Sequence, residues 1–250
     1  SHRSGAKFGP QAIRMGDYLP HDAERPHLAL RVDSLKELKI YDAGDLLMPG
    51  MDLVKSLKVL EAATEKISRA GAIAVVLGGD HSIASADIAG IANHLGNGKV
   101  SMIHFDAHAD TGEDQWGALV GHGTPMRRLI ESGAVRGDRF LQLGLRGYWP
   151  DNKTIEWMRD QKMRSYEMTE IHHRGMKAVL DESFATLTDG CDGVFLSVDI
   201  DVVDPGMAPG TGTPEMGGFT SRELLNMVRS LPADQMVGAD VVEYAERGCA

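Results

Sequence analysis

Short, mainly apolar runs recur along the chain and alternate with amphipathic stretches. Five such runs cover residues 72–77, 100–105, 140–145, 194–198 and 236–242. A strand with one face in water would carry polar residues at every second position, and these runs mostly lack that alternation. The pattern is typical of strands covered on both faces, so it predicts a mainly parallel sheet between helices.

Helical periodicity fills the segments between these runs. Residues 53–70 carry apolar side chains at steps of three and four, which form one stripe along a helix. The same spacing predicts three more helices, at residues 82–95, 124–131 and 220–228. Thr220 and Glu223 have the spacing of a capping box. The chain has no internal repeat and no long linker, so we predict one α/β domain over residues 1–250.

The composition is that of a globular protein with an acidic balance. The 250 residues are 42% hydrophobic and 25% charged, and 36 acidic against 26 basic side chains give a net charge of −10. An excess of acid argues against binding to a phosphate backbone, so nucleic acid is not an expected partner. It suits the attraction of metal ions or a cationic substrate, and it equally suits solubility alone.

Cysteine content and hydropathy limit the cellular compartments in which we expect the protein. The two cysteines, Cys191 and Cys249, are far apart and form no CxxC motif. This excludes a disulfide scaffold and leaves almost no case for a thiolate zinc site. No run reaches the roughly 18 to 20 apolar residues of a membrane helix, and the first five residues do not resemble a signal peptide. We therefore expect a cytoplasmic protein without a membrane partner.

Carboxylates and imidazoles follow three of the predicted strands. They are Asp80 and His81 after the first run, Asp106, His108 and Asp110 after the second, and Asp199 and Asp201 after the run at 194–198. Ligands of parallel sheets bind beyond the carboxyl ends of the strands. The spacing of two residues within the second and third groups points their side chains to one side of an extended chain.

A group of buried carboxylates requires cations that neutralise it. Four aspartates and two neutral histidines would balance two divalent ions. Oxygen ligands with some imidazole and no thiolate favour Mn²⁺, and two such ions about 3.5 to 4 Å apart can activate water between them. Each motif alone also fits turn chemistry, for example with Asp80 as a helix cap. It is their conjunction at three strand ends that favours a metal site.

The same motifs resemble those of the ureohydrolases, the family of arginase, agmatinase and guanidinobutyrase. The similar segments are residues 3–14, 78–82, 105–110, 197–205 and 208–214. The last and the first resemble the agmatinase and guanidinobutyrase branch. The resemblance implies a three-layer α/β/α fold around a mainly parallel sheet, assembled as a homotrimer or homohexamer. It also implies hydrolysis of a guanidino compound to urea and an amine, by attack of a metal-bridging hydroxide on the guanidinium carbon.

The resemblance also implies roles for single residues. One manganese ion would be held by His81, Asp106, Asp110 and Asp199, and the other by His108, Asp106, Asp199 and Asp201, with Ni²⁺ as the alternative metal. His122, in a His-Gly loop, would shuttle a proton. Glu243 would bind the guanidinium through two parallel N–H bonds. Asp110 would help to hold the tetrahedral intermediate. Asp240 and Glu246 are expected to be structural or surface groups.

The substrate is left open by the sequence. Glu113 or Asp114 could receive the amine of agmatine, beside an aromatic wall of Trp116, Tyr148 or Trp149. Arg127 or Arg146 could instead bind the carboxylate of a guanidino acid, as in guanidinobutyrase or guanidinopropionase. We favour an agmatinase-like enzyme over a guanidino-acid hydrolase, with arginine as the least favoured substrate.

Two other classes of protein remain as alternatives. A binuclear phosphoesterase would need an Asn-His pair after a later strand, and the pair Asn93-His94 lies in a helical stretch. A non-catalytic relative of the family is the other alternative. The family normally has a further strand before residues 3–14 and more chain after Glu243. We therefore expect N- and C-terminal pieces of the fold to be missing, which would leave an open sheet edge.

Overall fold

A computed structural model describes residues 4–16, 25–187 and 189–245. In these ranges six strands form one sheet in the order β1-β6-β5-β2-β3-β4, and every pair of neighbours is parallel. The strands are β1 (Ala74–Leu77), β2 (Val100–Phe105), β3 (Val135–Leu145), β4 (Arg164–Glu167), β5 (Gly193–Asp199) and β6 (Met236–Val242). The predicted parallel sheet is therefore confirmed.

Helices cover both faces of this sheet. They are α1 (Gly9–Met15), α2 (Ser34–Glu37), α3 (Leu53–Arg69), α4 (Ala84–Leu95), α5 (Pro125–Glu131), α6 (Asn152–Asp160), α7 (Met168–Arg174), α8 (Met176–Leu187) and α9 (Ser221–Arg229). On one face, Ile103 and Phe105 of β2 pack with α7, α8 and α9. On the other face, Val100 and Met102 of the same strand pack with α4 and α5. The fold is the expected three-layer α/β/α arrangement.

The long apolar elements are where the sequence places them. β2 and β6 have the predicted bounds, and α3 ends one residue before the predicted end. The capping box of α9 is present: Thr220 Oγ1 accepts the N–H of Glu223, whose side chain accepts the N–H of Thr220. No helix in the described part of the chain is long and apolar enough to span a bilayer.

The short polar elements were not predicted. β4 is a sheet-edge strand of four residues in which only Tyr166 is fully buried, so no apolar run marks it. Helices α6, α7 and α8 were missed as well. β3 begins five residues before the apolar segment at 140–145, and this first part was not predicted because it includes the exposed Arg136. Arg3 and Glu246 lie outside the described residues.

The parallel order brings four strand ends together at one edge. β5 lies between β6 and β2, and β1 lies beside β6. Phe105 pairs in register with Val198, and Asp199 pairs with Val242. The loops that begin at Asp106, at Asp199 and at Glu243 therefore start side by side.

Candidate metal centre and pocket

Three aspartates surround the ring nitrogen of one buried histidine. His81 Nδ1 lies 3.1 Å from Asp106 Oδ2, 3.0 Å from Asp110 Oδ2 and 3.4 Å from Asp199 Oδ2. All four side chains are buried. The first ligand set implied by the resemblance is thus brought together around one point.

A second cluster adjoins the first through Asp106. His108 Nδ1 lies 3.5 Å from Asp106 Oδ1 and 3.0 Å from Asp201 Oδ2. Asp106 therefore turns one oxygen toward each histidine. This is the position expected of a bridging ligand between two cations.

Local backbone structure aims these side chains. Asp110 has a φ of 51° in the left-handed region, so the chain turns sharply at the end of the motif. Asp199 Oδ1 accepts the N–H of Asp201 at 2.8 Å, which caps a 3₁₀ turn at Ile200–Val202. Asp80 Oδ1 likewise accepts the N–H of Ser82 at 3.1 Å and caps the turn at His81–Ile83. Asp80 is thus the helix cap that the sequence allowed.

The donor atoms fit divalent cations. Ligands held about 2.1 Å from one ion lie about 3 Å apart when they are adjacent around it, which matches the separations around His81 and His108. His81 Nδ1 is buried and has no hydrogen-bond partner among the described residues, although three carboxylates face it. When the ring is deprotonated at Nδ1, its lone pair is available to a cation. Carboxylate oxygens with imidazole nitrogens and no sulfur suit a hard or borderline ion such as Mn²⁺.

The buried charges shift one another's protonation. Burial raises the pKa of Asp199 and Asp201, and burial together with Asp106 raises that of Asp110 to about 6. Burial opposes protonation of His81 and His108, but the carboxylates that face them outweigh it and raise both pKa values. Protons and divalent cations therefore compete for this cluster.

His104 was not among the site residues predicted from the sequence, but it contacts Asp106 of the cluster. Its Nε2 lies 2.8 Å from Asp106 Oδ2, and its Nδ1 lies 3.1 Å from Gln142 Nε2. Gln142 in turn donates to the carbonyl of Ala109 at 2.7 Å. The sequence signal that could have identified His104 is its spacing of two residues from Asp106, which points both side chains to the same face at the end of β2.

A pocket of about 290 Å³ opens beside the cluster. Its lining residues are His108, Asp110, Asp114, Gln115, Trp116, His122, Gly123, Trp149, Asp199, Thr213 and Glu243. No lysine or arginine is among them in the described part of the chain. The lining therefore combines four carboxylates with two exposed indole rings.

The two arginines considered for a carboxylate lie elsewhere. Arg127 donates to the carbonyl of Thr111 at 2.9 Å and stacks on Trp157. Arg146 donates to the carbonyls of Asp201 and Glu215 at 2.6 and 2.8 Å. Neither lines the pocket.

Two of the other sequence candidates lie outside the pocket. Glu113 pairs with Lys153 at the surface, and Tyr148 is fully exposed. Neither is part of the lining, whereas Asp114, Trp116 and Trp149 are.

His122 and Glu243 face each other across the pocket floor. His122 Nδ1 lies 3.7 Å from Glu243 Oε1. Glu243 Oε1 accepts the backbone N–H of His81 at 3.1 Å, while its Oε2 is buried without a hydrogen-bond partner in the described structure. Burial raises the pKa of Glu243 to about 7 and lowers that of His122.

Known proteins have the same fold and a similar sequence. The Arginase family model matches residues 1–246. A guanidinobutyrase of Pseudomonas aeruginosa is 33% identical over 98% of this chain and 75% of its own length, and a mitochondrial agmatinase of Gallus gallus is 35% identical over 98% and 70%. The solved proclavaminate amidino hydrolase from Streptomyces clavuligerus is 32% identical with a TM-score of 0.84, covering 100% of this chain and 81% of its own.

The three-layer fold carries at its strand ends a His/Asp cluster that could hold metal ions. The chain belongs to the arginase family.

Proposed function

We propose that this protein hydrolyses a guanidino compound that carries an amine at its other end, releasing urea and a diamine as an agmatinase does. A guanidino-acid hydrolase, such as a guanidinobutyrase or guanidinopropionase, is the alternative activity for the same site. Similarity does not separate the two, since relatives with both kinds of name are 33% and 35% identical to this chain.

The charge of the pocket lining carries the proposal. Apart from the proposed metal ligands, the acidic lining residues in the described structure are Asp114 and Glu243, and no lysine or arginine lines the pocket there. A substrate with a positive charge at each end meets an acid at each end, Glu243 at the floor and the exposed Asp114 at the mouth. A substrate carboxylate would meet Asp114 with no cation to offset the repulsion. Trp116 and Trp149 would cover the alkyl chain between the two charges.

The metal ligands are proposed in two overlapping sets. His81, Asp106, Asp110 and Asp199 would hold one Mn²⁺, and His108, Asp106, Asp199 and Asp201 the other, with Ni²⁺ as the alternative ion. When bound, the two ions would supply activation of water and electrostatic stabilisation of the developing charge.

The chain's own residues would orient the substrate and move protons. Ionised Glu243 would accept guanidinium N–H groups, because its Oε2 is buried without another partner. Asp110, which also lines the pocket, would accept a further N–H from the guanidinium. His122, with its pKa lowered by burial, would carry a proton to the leaving amine.

Urea release from a substrate panel tests the proposal. Agmatine, 4-guanidinobutyrate, 3-guanidinopropionate and arginine are each assayed with Mn²⁺, Ni²⁺ or no added metal. Metal-dependent urea from agmatine above the others supports it. A preference for a guanidino acid would establish the alternative activity. Two bound metal ions per chain with no urea from any compound would point to another guanidino substrate or another hydrolysis, whereas no urea and no bound metal would favour a non-catalytic relative.

The matched variant Asp114→Asn separates substrate classes further. It keeps the size of the side chain and removes the negative charge at the pocket mouth. We expect KM for agmatine to rise and KM for 4-guanidinobutyrate to fall. Equal effects on both compounds would show that Asp114 does not read the charge of the distal group.

A further inference from the structure

The side chain of Gln115 lies between the ring of His122 and the backbone of Gly123. Gln115 Nε2 lies 2.7 Å from His122 Nε2, and Gln115 Oε1 accepts the N–H of Gly123 at 3.3 Å. Gln115 also lines the pocket. No metal-ligand or substrate role was assigned to it from the sequence.

The Gly123 contact fixes which end of the amide meets the histidine. A backbone N–H can only donate, so the amide oxygen of Gln115 must face Gly123 and the NH₂ group must face the ring. His122 Nε2 is therefore an acceptor. A neutral imidazole has one N–H, which leaves the proton of His122 on Nδ1, the nitrogen 3.7 Å from Glu243 Oε1.

Gln115 is itself held in place by its loop. Its backbone N–H and C=O pair with Ala118 at 2.8 and 3.0 Å, across a tight turn in which Trp116 and Gly117 have φ values of 51° and 83°. A Cβ added at Gly121 would lie 2.3 Å from Gln115 Oε1. The absence of a side chain at Gly121 thus makes room for the amide.

We propose that Gln115 is a positioning residue that holds His122 in the Nδ1–H tautomer, with that proton directed at the Glu243 side of the pocket. This inference rests on the proposed function only for its catalytic consequence. In the resting enzyme the neutral ring does not give up its one N–H, so the Nδ1–H serves as a fixed hydrogen-bond donor at the place where the guanidinium binds, and no ring rotation is needed before it acts there. The charged and titratable groups facing His122 are Glu243, Asp80, His81 and His108.

The tautomer can be measured directly by ¹⁵N NMR on histidine-labelled full-length chain at pH 8, with His122 assigned by difference from His122→Asn. The wild-type ring should show a protonated Nδ1 and an unprotonated Nε2. Gln115→Leu removes the donor and should abolish this preference. Gln115→Glu replaces the donor by an acceptor and should move the proton to Nε2. A wild-type signal with protonated Nε2, or a signal unchanged in both variants, would overturn the proposal.

Two glycine variants provide a matched pair for the same measurement. Gly121→Ala should displace the Gln115 amide and reproduce the effect of Gln115→Leu, with no further change when the two are combined. At Gly123 an added Cβ meets Gln115 atoms only at 3.9 Å or beyond, so Gly123→Ala should leave the tautomer as in the wild type. If both alanines act alike, the effect belongs to loop distortion and the proposal fails.

Kinetics then distinguish positioning from substrate contact. Gln115→Leu should lower kcat on the order of 10-fold or more, with KM nearly unchanged, because a misdirected N–H donor stabilises the transition state less. A raised KM with unchanged kcat would make Gln115 a binding residue and contradict the proposal. If the wild type releases no urea at all, the proposed function fails, while the NMR measurement still decides the role of Gln115.

Discussion

Glu243 is tied to the residue that begins the metal cluster: its Oε1 accepts the backbone N–H of His81 at 3.1 Å. The bond joins the loop after β6 to the loop after β1, which lie on neighbouring strands. The N–H of Glu243 also donates to the carbonyl of Gly79 at 3.0 Å. The proposed guanidinium-binding carboxylate and the first metal ligand are therefore held at a set separation by backbone hydrogen bonds.

Glu243→Gln tests the charge of this carboxylate. The amide oxygen retains an acceptor for the His81 N–H, so the fold and metal content should be kept. The loss of a charged hydrogen bond to the guanidinium is worth about 1.5–3 kcal/mol, so kcat/KM for agmatine should fall about 10- to 100-fold. Steady-state urea release and metal analysis measure the two effects. An unchanged kcat/KM would remove Glu243 from the binding site.

Metal affinity should rise with pH. The facing carboxylates raise the pKa values of His81 and His108 despite burial, so protons stay on these rings above the ordinary range, and a bound ion must displace them. Each displaced proton strengthens binding by about tenfold per pH unit while it remains bound in the free protein. Calorimetry with Mn²⁺ at pH 6.5 and 8.5, in buffers of different ionisation enthalpy, reads affinity and proton release together. Equal Mn²⁺ affinity at both pH values, without proton release, would contradict the predicted competition between protons and metal ions.

His104→Gln tests the support behind Asp106. The variant removes the imidazole that lies 2.8 Å from Asp106 Oδ2, and lost support of this kind typically costs about 10- to 100-fold in metal affinity. The control is His94→Gln, because His94 is exposed and its Nδ1 contacts only Ser68 among the hydrogen bonds described for it. Mn²⁺ titration of both variants and the wild type measures the difference. Equal losses in both variants would show a general effect of histidine replacement.

Asp240 is wholly buried beside Asp87, so of the two predicted alternatives the structural one is right and the surface one is wrong. Burial raises the pKa of both carboxyls, and Asp240 raises the pKa of Asp87 further, whereas the hydrogen bond with Asp87 lowers the pKa of Asp240 in part. The folded pair thus keeps a proton that the unfolded chain releases near pH 4. By linkage the contribution of this pair to the free energy of unfolding falls as the pH rises above about 4.

Asp240→Asn should make that fall less steep, by up to about 1.4 kcal/mol per pH unit for one proton. Urea unfolding of the metal-free protein at pH 5.5, 7 and 8.5 measures the slope. The exposed Asp234→Asn variant should follow the wild type. Parallel curves for Asp240→Asn and wild type would show that the pair holds no proton.

Local sequence signals were sufficient for the elements that build the metal cluster. The apolar run at 100–105 ends at Asp106, and the spacing of two residues brings Asp106, His108 and Asp110 into two adjoining clusters, to which Asp199 and Asp201 contribute one residue each. Strand formation and alternation are properties of a short stretch of chain, so they are legible without the rest of the protein. Because the strands are parallel, their carboxyl ends lie at one edge of the sheet, and this is where ligands are expected to bind.

Contacts between distant segments were decided by the tertiary structure alone. Arg146 looked available for a substrate carboxylate, but its donors are taken by carbonyls 55 and 69 residues away. The contact of Gln142 with His104, and the contact between Gln115 and His122, depend on side-chain directions that no spacing encodes. Burial also sets the pKa of Glu243, since it depends on all the chain packed around that carboxyl. The sequence by itself determined where the apolar strands lie and which residues were candidates to bind metal, because both are local properties of the chain. Packing decided which polar groups remain free to meet a substrate, because that depends on every neighbour at once.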